Sequence, residues 1–267
     1  MSRVLLFHTL RSQRLRLAVV AVGLAAWGFF MPVIYCQFGV QFKQLFDSGV
    51  LPKQFAQFGE GDVFSLPGAI GLGFIHPISL VLNSVFAVGF ATGAIAGERQ
   101  RGTLEVLLAR PLSRRRTYAT LLMATVLFIG IANAAILAGN VAGAAIFGVL
   151  GEIDLARVPV VWLNGVLLFG AFASIGLAAS VSFDRLSPAL GITLAIVIVF
   201  YFLEILGSLW PDAAWLQAYS LFHYLRPREL LMGSFDLAGL AIMLAVAVCA
   251  IAYALIVFPR RDLAAPS

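Results

Sequence analysis

The 267-residue sequence has little charge and almost no lysine. Charged residues make up 12% of the chain, against 61% for hydrophobic residues. Of the 18 basic residues only Lys43 and Lys53 are lysines, and neither belongs to the Gly-rich turn ending in Gly-Lys-Ser/Thr that holds phosphates in a P-loop. The composition excludes an ordinary soluble domain and ATP binding through a P-loop, and it is typical of membrane proteins.

Cysteine and histidine are equally scarce. Cys36 lies at the outer end of the first long apolar run, and Cys249 lies well inside the last one. At 1.5 Å per helical residue their depths in a membrane differ by about 20 Å, which excludes a disulfide between them. His8, His76 and His223 are scattered and no H-E-x-x-H motif occurs, so we expect neither a metal site nor a membrane metalloenzyme.

Six long apolar runs dominate the chain. A bilayer core of about 30 Å needs roughly 20 apolar residues in a helix, and the runs are continuous rather than alternating, which favours helices over a barrel. We therefore predict an all-α polytopic membrane protein, with residues 1–267 forming a single domain. The predicted spans are Leu17–Tyr35, Phe74–Gly97, Tyr118–Val141, Val160–Ser182, Pro188–Leu209 and Leu237–Phe258.

The distribution of basic residues orients these spans. With the N-terminus inside, the inner segments hold most of the arginines, whereas the outer segments hold more acidic than basic residues. By the positive-inside rule both termini and the loop 98–117 are predicted to be cytoplasmic, and the loop 37–73 lies outside. The net charge of +5 is then a topology signal, and it requires no nucleic-acid partner.

The loop between the second and third spans concentrates the charge. Residues 97–116, GERQRGTLEVLLARPLSRRR, contain eight ionised side chains, and each would cost about 2.5–3.5 kcal/mol at the bilayer centre. Within it Gly102 and Thr103 offer a helix start, leucines follow on one face, and Pro111 marks the stop. Such a short amphipathic helix fits two uses: it lies on the bilayer or on the inner ends of the spans, or it fills a groove on another protein.

These residues resemble the loop between the second and third spans of type-2 ABC export permeases. In that family an acid, a basic cluster, Gly-Thr-Leu, an acid, two leucines, then Pro, Ser and Arg recur, and the loop is a coupling helix that docks on a separate ATPase subunit. The resemblance favours the docking use. The motif positions in this sequence are Glu98, Arg99, Gly102, Thr103, Leu104, Glu105, Leu107, Leu108, Pro111 and Ser113.

The resemblance also carries implications for the complex. It implies the permease subunit of an exporter in a bacterial cytoplasmic membrane, working as a homodimer or with a sister permease. ATP and Mg²⁺ belong to the partner ATPase, and no cofactor is expected in this chain. The cargo stays open, as does a role in the maturation of a periplasmic metalloenzyme. A proton-coupled secondary transporter is the competing class, but it would usually show repeat-related halves and polar groups near the midplane, and neither is apparent.

Glu204 is the one acidic residue inside a predicted span. Such residues are functional candidates by default, which points to the translocation path. It also lies 16 residues past Pro188 and close to Trp210, where the side chain could reach the outer headgroups and water. The sequence leaves both interpretations open.

Two further patterns have two interpretations each. Gly89, Gly93 and Gly97 in the second span, and Gly139 with Gly143 in the third, form small-xxx-small steps that suit either packing within the chain or a dimer seam. Residues 3–16 form either a plain basic flank or an amphipathic helix along the interface, with Leu6 and Leu10 toward lipid.

Overall fold

The computed structural model describes residues 2–48, 64–104 and 112–261, and within these ranges the chain forms helices and no strands. This confirms the all-α prediction. Short 3-10 turns connect several of the helices. The α-helices are Arg3–Ser12 (α1), Arg14–Asp47 (α2), Leu66–Ile75 (α3), Pro77–Ser84 (α4), Glu98–Gln100 (α5), Arg114–Ile146 (α6), Val158–Ser182 (α7), Leu186–Leu209 (α8), Pro227–Met232 (α9) and Leu237–Arg260 (α10).

Five helices in the described ranges are long and apolar enough to cross a membrane, and a bent pair supplies a sixth span if it is counted as one. The pair joins Leu66–Ile75 to Pro77–Phe90 at an angle of 48°. The chain is therefore a multi-pass membrane protein. The five unbroken candidates are Arg14–Gly39, Arg114–Ile146, Leu155–Ser182, Leu186–Leu209 and Leu237–Arg260.

The predicted outer loop 37–73 is partly helical. Helix α2 continues to Asp47, and α3 begins at Leu66, well before the predicted start of the second span at Phe74. The break between α3 and α4 has a local cause, because Pro77 cannot continue the helix and holds His76 in an extended conformation. The part of the predicted loop between 49 and 63 lies outside the described residues.

Glycines allow α2 and α6 to pack at close range. A Cβ atom added at Gly139 would lie 2.8 Å from the backbone nitrogen of Phe29 and even closer to the carbonyl oxygen of Ala25. One added at Gly143 would lie 2.8 Å from the carbonyl oxygen of Phe29. Packing within the chain thus accounts for this pair. It does not account for Gly93, where an added Cβ meets nothing within 4 Å.

Helix α1 packs on the bundle through a different face from the one predicted. Leu5 is buried, and Leu6 and Leu10 are partly buried against the apolar core. Val4 and Phe7 are 70% and 69% exposed, so they, and not Leu6 and Leu10, form the outward apolar face. The amphipathic interpretation of residues 3–16 placed Leu6 and Leu10 toward lipid, and that orientation was wrong because the bundle itself offers apolar contacts to the leucines.

Candidate functional site

The arginine-rich segments meet at one end of the helical bundle. We call this end, formed by residues 98–104, 112–116, 183–186 and 258–261, the arginine end. The N-terminus joins it, since the backbone N–H of Ser2 donates to the Thr120 hydroxyl near the start of α6 at 3.0 Å. The segments that the sequence assigned to one side of the membrane therefore lie together.

The residues Glu98 to Thr103 end the second span in a tight C-cap. Gly102 has φ +71°, the left-handed conformation that favours glycine at this position. Its N–H donates to the carbonyl of Arg99 at 2.9 Å, and the N–H of Thr103 donates to that of Glu98 at 3.0 Å, which is the hydrogen-bond pattern of a Schellman motif. The Glu-x-x-x-Gly-Thr spacing of the motif thus terminates a helix before any new one begins.

The side chain of Glu98 reinforces this cap. One carboxylate oxygen pairs with Arg101, and the other accepts a hydrogen bond of 2.6 Å from the Thr103 hydroxyl. The Arg101 side chain remains 61% exposed, and Gly102 and Thr103 are exposed as well. The cap therefore presents a fixed backbone turn to the surface at the arginine end.

The leucine face of the motif is only partly within the described chain. Leu104 is 2% exposed and belongs to the apolar core of its own bundle. Its side chain anchors the loop and is not on the surface. Ser113 caps α6, with its hydroxyl accepting from the N–H of Arg116 at 3.4 Å. The remaining motif positions lie outside the described residues: Glu105, Leu107, Leu108 and Pro111.

An arginine–aspartate cluster holds the loop to the other spans. Asp184, in the link between α7 and α8, forms a salt bridge of 2.6 Å with Arg99 and also pairs with Arg261. Arg114 donates to the carbonyl oxygens of Phe258 at 3.2 Å and Arg261 at 2.6 Å. These carbonyls end α10, where cations are favoured.

Sequence reasoning identified Arg99 but missed the partners that hold it. Asp184 had a signal of its own, since it is an acid in an arginine-bearing inner segment, next to Arg185. In the sequence Arg114 is one of three consecutive arginines, which the positive-inside rule treats alike as a topology signal. Its tertiary role has no local signature because its partners lie 144 to 147 residues away.

A π-helical stretch leads into the loop and is held by one serine. The chain is π-helical over Val85–Phe90 and Gly93–Gly97, directly before α5. The buried hydroxyl of Ser180 on α7 accepts from the N–H groups of Ile95 at 3.0 Å and Ala96 at 2.9 Å, and donates to the carbonyl of Thr92 at 2.7 Å. Such π-turns are frequent at functional sites, and nothing in the sequence pattern predicted this one.

Glu204 lies far along α8 from the arginine end and faces a cavity of about 410 Å³. One carboxylate oxygen, Oε1, accepts from Gln217 Nε2 at 2.8 Å, and the side chain is 19% exposed. It therefore packs under residues 211–226 and does not extend freely into solvent. We call this space the Glu204 cavity; its lining includes Ile75, Tyr201, Ser208, Gln217, Phe222, His223, Arg226 and Glu229.

Residues 220–226, which lie beside the cavity, are packed into the bundle, whereas most of residues 211–219 are exposed. Asn164 on α7 donates to the carbonyl of Tyr224 at 2.9 Å and accepts from the N–H of Arg226 at 3.1 Å. Leu221 and Phe222 are buried in the apolar core. This part of the segment between the last two spans is therefore fixed against α7.

Arg226 sets the charge pattern on the cavity wall. Its guanidinium contacts His223 Nε2 at 2.9 Å and pairs with Glu229 at 3.1 Å. Burial, and then the positive charge of Arg226, lower the pKa of His223, so the ring is neutral near pH 7. The other ring nitrogen, Nδ1, lies 4.0 Å from Glu204 Oε2.

Among the described residues, no group of three His, Cys, Asp or Glu side chains could hold a metal ion.

Comparison with known proteins identifies the family of the chain. No curated protein matches the chain significantly. The sequence model of the family described as ABC-2 family transporter protein matches residues 8–263. The chain therefore belongs to the ABC-2 family of transporter proteins and is a membrane-embedded ABC-type permease, a transport component and not a catalytic enzyme.

Proposed function

We propose that this permease is the transmembrane subunit of an exporter in a bacterial cytoplasmic membrane, driven by a separate ATPase subunit that docks at the arginine end. The ATPase holds ATP and Mg²⁺, and this chain holds no cofactor. The permease works as a homodimer or beside a sister permease. Family membership supports an ABC transport role, and the position of the family motif at one end of the bundle supports the docking site.

The observation that carries the docking proposal is the way the loop is attached. A loop that passes motion from an ATPase to the spans needs firm contacts with several of them. Leu104 anchors it in the core, and the salt bridge from Arg99 to Asp184 ties it to the link between α7 and α8. The exposed backbone turn at Gly102 remains available to a partner.

The motif positions then divide into two groups. Glu98, Arg99 and Leu104 position the loop from within the chain, because their partners are in this chain. Leu107 and Leu108 belong to the predicted apolar face, and under this proposal they fill a groove on the ATPase.

The proposal is tested by placing charge on that apolar face. Burying a leucine is worth roughly 1.5–3 kcal/mol, so Leu107→Asp with Leu108→Asp should weaken docking by about two orders of magnitude or more. We expect normal amounts of permease in the membrane, without a retained ATPase and without transport. The measurement is affinity purification of the tagged permease from its native membranes, followed by identification of a Walker-motif partner and an ATPase assay.

Leu104→Asp is the matched control. It places a charge in the permease's own core, so it should reduce the amount of folded permease and not act on docking alone. If the doubly substituted permease still carries an active ATPase at wild-type stoichiometry, the docking assignment is wrong. The loop would then be a positively charged topology anchor.

At the other end we propose that Glu204 contributes to the path of the cargo. A carboxylate that lines a cavity near the end of a span is expensive to bury, and this one is held by Gln217 and not exposed to bulk water. This supports a role in contacting cargo over simple exposure at the membrane surface.

A further inference from the structure

A second cavity lies near the arginine end, between the junction of α1 with α2 and the π-helical end of the second span. Its volume of about 340 Å³ lies within the range of about 300–1,000 Å³ that is typical of small-ligand pockets. Gly89 is exposed and Gly93 half-buried on its wall, and a Cβ added at Gly93 would meet nothing within 4 Å. The glycine that packing within the chain does not explain therefore leaves this space open to the surroundings. We call it the Gly93 cavity.

The basic side chains of the Gly93 cavity are accessible. Arg16 is exposed, and the Arg101 side chain is 61% exposed. In the described part of the chain Arg16 forms no ion pair, and its guanidinium donates to the neutral side chain of Gln13 at 3.4 Å. Because a guanidinium carries several N–H groups, Arg16 retains donors for a ligand. The exposed ring of His8 also lines the cavity and supplies a further N–H.

The cavity has a net positive charge. Among the described residues that line it, Glu98 is the acidic one, and both of its oxygens are engaged within the chain. One pairs with Arg101, and the other accepts from the Thr103 hydroxyl at 2.6 Å. The lining thus contains two guanidiniums and one carboxylate, and Arg3 and Arg11 line an adjoining hollow along α1. This charge balance favours an anionic ligand.

Apolar side chains also line the cavity, and they lie near the ends of candidate spans. Phe90 is the last residue of the bent pair, and Leu121 lies seven residues after the start of Arg114–Ile146. Arg16 lies two residues after the start of Arg14–Gly39. At the end of a span the hydrocarbon region gives way to the lipid headgroups. A lipid at this position contacts the guanidiniums with its headgroup and the apolar side chains with its glycerol and first methylene groups, whereas a free inorganic anion would use the guanidiniums alone.

We propose that the Gly93 cavity binds the phosphate group of an anionic phospholipid from the surrounding leaflet, with Arg16 and Arg101 as the donors. The planar guanidinium matches the geometry of a phosphate, and basic pockets between membrane helices bind lipid headgroups in this way. A headgroup with a net negative charge, such as that of phosphatidylglycerol, complements the positive cavity, whereas the ammonium of phosphatidylcholine offsets its own phosphate. The inference does not rest on the proposed function, because lipid binding requires neither a docked ATPase nor a particular cargo.

The test measures phospholipid binding to the full-length permease, which is delipidated in detergent and titrated with phosphatidylglycerol or phosphatidylcholine of identical acyl chains. Native mass spectrometry gives the apparent Kd of the first bound lipid. We expect phosphatidylglycerol to bind the wild type at least about tenfold more tightly than phosphatidylcholine, and Arg16→Gln to remove this preference. Arg115→Gln is the matched control, because it removes the same charge from an exposed arginine of the arginine end that does not line the cavity.

A second variant tests the space itself. Gly93→Leu places a side chain in the cavity and should weaken phosphatidylglycerol binding by about tenfold. Gly170→Leu is its control and should leave binding unchanged, because a Cβ at Gly170 also meets nothing within 4 Å but Gly170 does not line the cavity. If Gly93→Leu lowers the amount of folded permease, Arg16→Gln, which alters an exposed side chain, decides the question.

The outcomes separate a lipid from other occupants. Equal affinity of the wild type for the two lipids, or equal phosphatidylglycerol binding by the Arg16 and Arg115 variants, would overturn the proposal. So would displacement of phosphatidylglycerol by millimolar inorganic phosphate beyond the effect of sodium chloride at equal ionic strength, since the site would then take a free anion. Loss of a retained ATPase in Gly93→Leu with unchanged lipid binding would identify the cavity as a protein contact and would also overturn it. Loss of the lipid preference with the ATPase retained supports the proposal and leaves the docking assignment untouched.

Discussion

Removing the Ser180 hydroxyl tests whether the π-helical stretch before the loop depends on a single side chain. Ser180→Ala takes an acceptor from the amides of Ile95 and Ala96 and a donor from the carbonyl of Thr92. The site is fully buried, so water cannot replace these bonds. Ser174→Ala is the matched control on the same helix, because the buried Ser174 hydroxyl donates only to the carbonyl of Gly170 in its own helix.

The two substitutions should differ clearly in free energy. A buried amide that loses its acceptor costs about 1–3 kcal/mol, so two of them cost about 2–6 kcal/mol in Ser180→Ala. In Ser174→Ala the lost bond is local to the helix, and the cost is about 1 kcal/mol or less. At about 2–4 °C per kcal/mol, Ser180→Ala should lower the Tm by about 4 °C or more, and Ser174→Ala by much less.

The assay is thermal unfolding of the purified permease followed by intrinsic fluorescence, together with hydrogen exchange across residues 85–100. We expect the Ser180 variant to lose protection in the π-helical stretch, and the Ser174 variant to keep it. Equal Tm values and equal exchange in the two variants would show that the π-turns do not depend on Ser180.

Two further predictions concern the bundle. Gly139→Ala should lower the Tm, because the added Cβ meets the backbone of Ala25 and such overpacking costs about 1–3 kcal/mol. Gly170→Ala is the control and should leave the Tm unchanged or raise it, because a Cβ there has nothing within 4 Å. If fluorescence-detected unfolding gave the reverse order of Tm values, the close contact between the helices would be contradicted. Arg114→Ala should increase hydrogen exchange at the end of α10 relative to Arg115→Ala, because in the described part of the chain Arg114, and not Arg115, donates to the carbonyls there. Equal exchange in the two variants would refute this role.

The sequence predicted those parts of the fold that depend on local composition. An apolar run long enough to cross a bilayer can be recognised from hydropathy alone. The first, third, fourth, fifth and sixth predicted spans accordingly lie within helices that are unbroken candidates for membrane spans. Helix ends were less predictable. The continuation of α2 to Asp47 lies in a segment where hydropathy no longer decides the conformation, and α3 begins at Leu66 in an apolar stretch that the prediction had assigned to the outer loop.

The candidate site was likewise predictable only where its residues could be recognised from the local sequence. The motif from Glu98 to Thr103 could be recognised because its residues are close in sequence, and Glu204 because an acid in an apolar run is conspicuous. Contacts between residues distant in sequence could not be found in this way. Ser180 lies more than 80 residues from the amides it binds, and Asp184 is equally far from Arg99.

Helix α8 connects the arginine end of the permease with the end that carries Glu204. The N–H of Leu186, at the start of α8, donates to the side chain of Gln100 at 2.9 Å, directly beside the C-cap at Gly102. From Leu186 the same unbroken helix continues for 18 residues, or about 27 Å, to Glu204. Under the proposed function, a displacement of the docked loop reaches α8 through Gln100, and the far part of that helix carries Glu204. The segment that follows α8 contacts both helices, because Gln217 binds Glu204 and Ser208 on α8, whereas Tyr224 and Arg226 bind Asn164 on α7. A shift of α8 against α7 would therefore act on this segment.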